Sequence, residues 1–438
     1  MNTRNMFKIT ASLMLSVFAA VAFVACEDEP DKYEVASGSP EVIYITTPAN
    51  SDSLITEAFM GKLVVLIGNN LRSITKLYFN DVEAVLNSSL ITDHTLICTV
   101  PNDLPSHSSN IIYMVNSCGD TTKYDFVVRI PAPVLNSMTC EMLKPGEIAT
   151  INGDYLLDYE DSPLTIVMPD GTTITEFKSC TKTAVSFVVP DGCTKPGQIV
   201  VTSKYGATKS TRFNFNDNRG LITDFDGTTD IVPQGWNVPK YQSEDEGITG
   251  KYAILGPEDL DENASWNENY KLPFWCGTWN GNPMGITSGV GVPICNVIDF
   301  TDWKNMAFKF ELCVPKSNPW MAGALQVVFA SAADCANDTW QNNTYIQTSA
   351  VKGGKDLSRG IYRPWEATGS FDTNDEWITV TIPFSEFVYN YDGSKVTAQT
   401  LEPDAFASLI LWVNGGGVAG TACAPILKLD NLRAVPYK

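Results

Sequence analysis

Short apolar runs that alternate with polar positions recur along most of this chain, punctuated by Gly, Asn, Asp and Pro. Ala307-Phe308-Lys309-Phe310-Glu311-Leu312 and Trp377-Ile378-Thr379-Val380-Thr381-Ile382-Pro383 alternate with a period of two, the mark of a strand with one face toward a core. Leu325-Gln326-Val327-Val328-Phe329 and Leu409-Ile410-Leu411-Trp412-Val413 read as more fully buried strands. The periodicity of long helices is missing. Many short strands without helices pack sheet against sheet, so the pattern predicts an all-β chain of sandwiches or jelly rolls.

Within that pattern, residues 40 to 216 contain one unit twice. Gly61-Lys62-Leu63-Val64-Val65-Leu66-Ile67-Gly68-Asn69-Asn70-Leu71 returns as Gly146-Glu147-Ile148-Ala149-Thr150-Ile151-Asn152-Gly153-Asp154-Tyr155-Leu156. Thr95-Leu96-Ile97-Cys98-Thr99-Val100-Pro101 returns as Ala184-Val185-Ser186-Phe187-Val188-Val189-Pro190. The ordered landmarks, a G-x-x-h-x-h-x-G-x-x-L opening and a later Val-Pro, resemble IPT/TIG immunoglobulin-like domains. That resemblance implies antiparallel sandwiches used as rigid spacers. Pro131-Ala132-Pro133 joins the copies and restricts the angle between them, because proline fixes φ. The expected layout is residues 1–25 a leader, 26–39 a tether, 40–130 and 131–217 two tandem immunoglobulin-like sandwiches, and 218–438 a larger β-sandwich.

The leader is read from Arg4 and Lys8, the apolar run Leu13 to Val24, and Ala25 before Cys26. Phe23-Val24-Ala25-Cys26 resembles a lipoprotein lipobox, with Phe23 departing from the usual Leu. The resemblance implies lipidation of Cys26. Glu27-Asp28-Glu29-Pro30-Asp31 resembles the surface-export tether of Bacteroidetes lipoproteins, which implies an outer-membrane anchor and a body facing the exterior. With 50 acidic against 30 basic residues, the net charge of −20 argues against nucleic acid and favours a neutral ligand. Of the 11 cysteines, the ten beyond Cys26 show no metal-type spacing. Cys180 with Cys193 and Cys276 with Cys295 are spaced so that a disulfide is allowed, and buried free thiols are the alternative.

All ten tryptophans fall between Trp236 and Trp412, so one half of the chain is chemically set apart. Leu221-Ile222-Thr223-Asp224-Phe225-Asp226-Gly227 opens that half and Leu427-Lys428-Leu429-Asp430-Asn431-Leu432-Arg433 closes it. Those ends, with Trp303-Lys304-Asn305, Pro319-Trp320 and Tyr362-Arg363-Pro364-Trp365, resemble the C-terminal glycan-binding domain of Bacteroidetes surface glycan-binding proteins. Those proteins accompany starch-utilisation-like (Sus-like) uptake systems. Flat aromatic rings stack on the apolar faces of sugars while amides and guanidinium groups bond the hydroxyls. Three polar, loop-like stretches supply that mixture: residues 266–280, 338–345 and 362–366. The candidate glycan contacts drawn from them are Trp275, Trp279, Trp340, Asn343, Tyr345, Tyr362, Arg363 and Trp365. Trp303, Trp377 and Trp412 lie in or beside strand patterns and read as core, while Trp236 and Trp320 fit either role.

Candidate catalytic chemistry is sparse. The only histidines, His94 and His107, lie in the first copy, so the Trp-rich half has no histidine base or zinc ligand. Neither G-x-S-x-G nor a P-loop occurs. Carboxylates are plentiful, so composition alone leaves a glycosidase open as an alternative. Asp224, Asp226 and Asp430 allow a structural calcium, yet three acids at chain ends fall short of its six or more oxygens. No cofactor is expected. The sequence predicts a non-catalytic, lipid-anchored receptor for a neutral polysaccharide, of the β-glucan, xyloglucan or related hemicellulose kind that the resemblance implies. Its expected partners are that glycan, the outer membrane and a Sus-like transporter. The competing reading is an adhesin that binds another protein.

Overall fold

The computed structural model describes residues 36–50, 53–233, 240–242, 247–276, 292–332 and 357–437. Their regular elements are β-strands joined by turns and short 3-10 helices, which agrees with the all-β reading. The chain divides into two compact units, residues 1–131 and 132–438.

In the first unit, Glu41–Thr46, Leu63–Asn69 and Thr95–Thr99 form one sheet. Val82–Ala84, Ile74–Phe79, Ile111–Asn116 and Thr121–Asp125 form the other. Alternate residues of both sheets, Val64 and Leu66 against Leu77, Phe79 and Ile112, meet in one core. This is the two-layer packing that period-two strands require.

The second unit begins with the same design. Val134–Met138, Ile148–Asp154, Ala184–Val188 and Ser179–Cys180 form one sheet, and Thr173–Ile174, Thr165–Val167, Val200–Ser203 and Gly206–Lys209 the other. The repeated glycine of the motif has the same backbone duty in both copies. A Cβ on Gly68 would lie 1.9 Å from the Glu41 carbonyl oxygen, and one on Gly153 would lie 1.9 Å from that of Val134. Each glycine sits where the neighbouring strand bulges. Two residues on, Asn70 and Tyr155 share a left-handed backbone, φ 57° and 54°, and Leu71 and Leu156 are fully buried.

The larger sandwich follows. Lys240–Tyr241, Ala253–Leu255, Leu427–Pro436, Met306–Cys313 and Ile378–Pro383 lie side by side, with Leu221–Thr223 also paired to Leu427–Pro436, making a six-stranded sheet. Lys271–Phe274, Ser408–Asn414, Ala324–Ala330 and Arg359–Tyr362 make a four-stranded sheet. Between them lies a core rich in phenylalanine, in which Phe300 stacks on Phe406 at 4.1 Å and Phe329 touches Phe308, Phe384 and Phe406.

One strand departs from its pattern. The alternation of Ala307–Leu312 predicts a wet face, but Met306–Cys313 is buried on both. Lys309 and Glu311 point away from the core, toward the second immunoglobulin-like copy. Lys309 Nζ lies 2.5 Å from a Glu141 oxygen and donates to the Arg212 carbonyl at 2.7 Å. Arg433 grips both Glu311 oxygens at 2.7 and 2.9 Å and reaches the other Glu141 oxygen at 3.0 Å. Backbone bonds run alongside, from Thr379 N to the Thr139 carbonyl at 2.8 Å. Charges are buried here because each finds an opposite one with direct hydrogen bonds.

Candidate functional site

The outer face of the four-stranded sheet is unusually rich in polar and aromatic groups for a buried surface. Leu272, Phe274, Leu325, Val327, Phe329, Leu409, Leu411 and Val413 point into the sandwich core. Strand alternation sends their neighbours outward. Pairing across the sheet aligns Lys271, Trp412, Gln326 and Ile361 in one row and places Arg359, Val328 and Ile410 in another.

That row is fixed by hydrogen bonds. Arg359 Nη1 donates to Gln326 Oε1 at 2.8 Å, and the Gln326 amide nitrogen donates to the carbonyls of Tyr391 and Asn414 at 2.9 and 3.0 Å. Tyr391 thus stands above the sheet, 39% exposed. At the Lys271 edge, Trp266 meets Trp412 edge to face at 4.6 Å. Lys271 Nζ lies 5.5 Å from the Trp266 ring centre and 2.5 Å from the Glu268 carboxylate. The Trp412 indole N–H is buried and has no hydrogen-bond partner among the described residues. At the opposite edge Arg363 donates to Glu366 at 3.0 Å and to the Gly416 carbonyl at 2.5 Å. Four strands at the usual spacing put these edges about 14 Å apart.

The residues selected from sequence fall in different places. Trp275 follows Lys271–Phe274, is half-buried, and packs with Val328, Ala330, Leu357 and Ile410 on this outer face. Arg363 lies at its edge. Tyr362 turns the other way, toward Trp320 and Phe371 at 6.1 and 6.4 Å, and burial pushes its phenol up to about 12. Trp365 is 4% exposed in the main core and donates its indole N–H to the Gly323 carbonyl at 2.7 Å. The 3-10 turn Pro364–Ala367 carries it inward, so its placement is that of a core residue and not of a platform ring. Trp279, Trp340, Asn343 and Tyr345 lie outside the described residues, as do Cys26 and Trp236.

Other expectations resolve more simply. Trp303 and Trp412 are buried, Trp320 joins the core, and Trp377 is half-buried edge-on to Tyr252. Cys180, Cys193 and Cys295 carry free thiols, so neither spacing-allowed disulfide forms. Among the described residues no three His, Cys, Asp or Glu side chains converge as a metal site. Asp224 instead accepts from the Asp226 and Thr228 amides, Asp226 from the Lys251 amide, and Asp430 from Asn431 N and the Thr249 hydroxyl. The sequence selection left out Trp266 and Lys271, although both lie in the candidate stretch 266–280, and it did not consider Gln326 or Tyr391. The available signal was a polar residue inside a strand run, Gln326 between Leu325 and Val327 and Lys271 before Leu272.

A sandwich whose outer face combines indoles, a clamped amide and guanidinium groups has the build of a carbohydrate-binding module carried on immunoglobulin-like modules. Residues 215–436 match the surface glycan-binding protein B xyloglucan binding domain, and the chain belongs to that family. Residues 49–127 match the IPT/TIG domain. The chain is 36% identical to surface glycan-binding protein PbSGBP-B from Prevotella bryantii, covering 92% of this chain and 100% of that one, with a TM-score of 0.72. It is also 26% identical over 234 residues to an IPT/TIG domain-containing protein of Bacteroides ovatus, covering 50% of this chain and 47% of the relative. It thus spans about half the length of that curated relative. The family expected from the sequence, and its fold of IPT/TIG domain followed by β-sandwich, are the ones found.

Proposed function

We propose that this chain is a non-catalytic receptor at the cell surface that captures a neutral polysaccharide of the xyloglucan or related β-glucan kind. One observation carries the reading: the whole terminal sandwich matches a xyloglucan-binding domain. The 36% identity to a surface glycan-binding protein over nearly the full length supports it. In this proposal Cys26 bears the lipid anchor in the outer membrane, and residues 40–130 and 131–217 hold residues 218–438 away from it. Capture would supply a Sus-like transporter and neighbouring hydrolases. The contacts proposed are Trp275 and Arg363 at the outer face, joined by Tyr391, with Trp279, Trp340, Asn343 and Tyr345 from the flanking loops. Tyr362 and Trp365 support those contacts from behind.

Affinity gel electrophoresis of the full chain against xyloglucan, mixed-linkage β-glucan and polygalacturonan tests this. Retardation by a neutral glucan, with no release of reducing ends on long incubation, is the expected result. Each stacked ring contributes about 1 kcal/mol beyond area burial, so Trp275→Ala should weaken binding about fivefold. Retardation by none of the neutral glucans would refute the proposal, and hydrolysis would refute its non-catalytic part.

A further inference from the structure

Around the corner from the sheet face, the loop between Leu255 and Lys271 builds a separate depression. Its frame is rigid. The buried Tyr270 hydroxyl donates to the Glu258 carbonyl at 2.6 Å and accepts from the Glu258 amide at 3.1 Å. Leu260 and Cys423 exchange backbone bonds of 2.8 and 3.0 Å. Asp261 accepts from the Asn263 and Ser265 amides, and the Asn267 amide group donates to the Asp259 carbonyl at 3.2 Å. Gly415 N and Gly420 N tie the loop to the following segment through the Ala264 and Glu262 carbonyls.

Between this frame and residues 422–424 lies a cavity of about 560 Å³, lined by Asp259, Asp261, Ser265, Trp266, Asn267 and Ala422 among others. That volume lies within the roughly 300–1,000 Å³ range of small-ligand sites. Trp266 lines it and stays 48% exposed, although Trp412 and Lys271 already pack on the same ring. A rigid loop that leaves half an indole in water beside carboxylates and an amide offers the two things a sugar needs. The indole takes the C–H face of a pyranose, and the carboxylates accept from its hydroxyls. The two aspartates repel uronates and so favour a neutral sugar.

We infer that the Trp266 depression is a second sugar subsite, one that takes a neutral branch sugar of the glycan. The branch assignment comes from position. Lys271–Phe274 is the edge strand of its sheet, and the depression lies beside the Trp266 loop that flanks this edge. A main chain held at Trp275, Arg363 and Tyr391, the accessible groups of that side, would reach it through a substituent. The inference rests on the glycan-receptor reading above, and the two fail differently.

The test is isothermal titration of the full chain with side-chain-bearing xyloglucan and with unbranched mixed-linkage β-glucan. Ala422 is exposed, and Ala422→Tyr fills the depression while leaving Trp266 and its packing in place. The expected result is about fivefold weaker binding of xyloglucan, with mixed-linkage glucan changed less than twofold. Trp266→Ala should weaken xyloglucan binding by at least as much, and Trp266→Phe should restore part of it. Unchanged xyloglucan affinity in Ala422→Tyr would overturn the subsite. Equal loss on both glycans would overturn the branch assignment. Wild-type chain that binds neither glycan would remove the receptor reading itself, and the subsite with it.

Discussion

Replacing Glu141 by Ala removes one of two anions from a cluster that holds four charges out of water. Glu141 and Glu311 face Lys309 and Arg433, and all four side chains are at most 2% exposed. Two negative charges balance two positive ones, and the adjoining Asp217 is matched by Arg219, so the substitution leaves one unit of uncompensated positive charge in the interior. Desolvation already pulls the Lys309 amine below its ordinary range, and Glu141 is the main group that opposes this, with Asp217 adding less. Breaking a buried ion pair by removing one partner costs about 3–5 kcal/mol. At about 2 °C per kcal/mol for a large unit, the midpoint of thermal unfolding should fall by about 6–10 °C. Scanning calorimetry of the full chain reads both the midpoint and the number of transitions. The second copy meets the larger sandwich through this cluster and the Thr379–Thr139 and Thr379–Glu141 bonds, so one shared transition should broaden or divide. A fall of less than about 2 °C, with the endotherm unchanged, would show that water or relaxation absorbs the lost charge. The account of the junction as dry and charge-matched would then be wrong.

Two further predictions follow from buried groups elsewhere. Burial first, and the nearby Glu311 charge second in kind, raise the Asp430 carboxyl to about 8. A carboxyl raised above its unfolded value contributes stability in full below about pH 4 and loses it as pH climbs through 8. Asp430→Asn should therefore gain on wild type across pH 4 to 8 and hold a constant lead above that, read by thermal melts at each pH; parallel curves would refute it. Gly68→Ala and Gly153→Ala each drive a methyl against a neighbouring carbonyl, and each should cost about 1–3 kcal/mol by urea unfolding. Loss in one copy only would show that the shared motif does not impose the same constraint twice.

The repeats were legible because their landmarks are backbone demands. Gly68 and Gly153 have no room for a Cβ, and Leu71 and Leu156 fill the same place in each core. Leu409–Val413 was legible as a buried strand because nothing but burial accounts for an uninterrupted apolar run, and Leu325–Phe329 breaks such a run only at Gln326. Other features have no local signature. The alternation in Ala307–Leu312 looks the same whether Lys309 and Glu311 meet water or the charges of another domain. Pro364-Trp365-Glu366 reads as an exposed aromatic loop, yet one tight turn is enough to carry the indole inward. Trp266 and Tyr270 share one polar stretch, but the first is half-exposed and the second fully buried. Their difference comes from Trp412 and Pro425, remote in sequence.

The larger sandwich therefore uses its two outer faces for different work. On the six-stranded sheet, outward side chains that would ordinarily be solvated are consumed by ion pairs and backbone bonds to the second immunoglobulin-like copy. A jointed spacer would not need these contacts; with them, the copy and the sandwich form one compact unit. The four-stranded sheet lies on the opposite side of the core, so its outward row of Lys271, Trp412 and Gln326 is free of that mechanical duty. Gln326 in that row is held by Arg359, the Asn414 carbonyl and the loop at Tyr391, which fixes the middle of the face. In the proposed receptor such rigidity lowers the ordering cost of binding, while the latch on the other side holds the sandwich fixed to its neighbour.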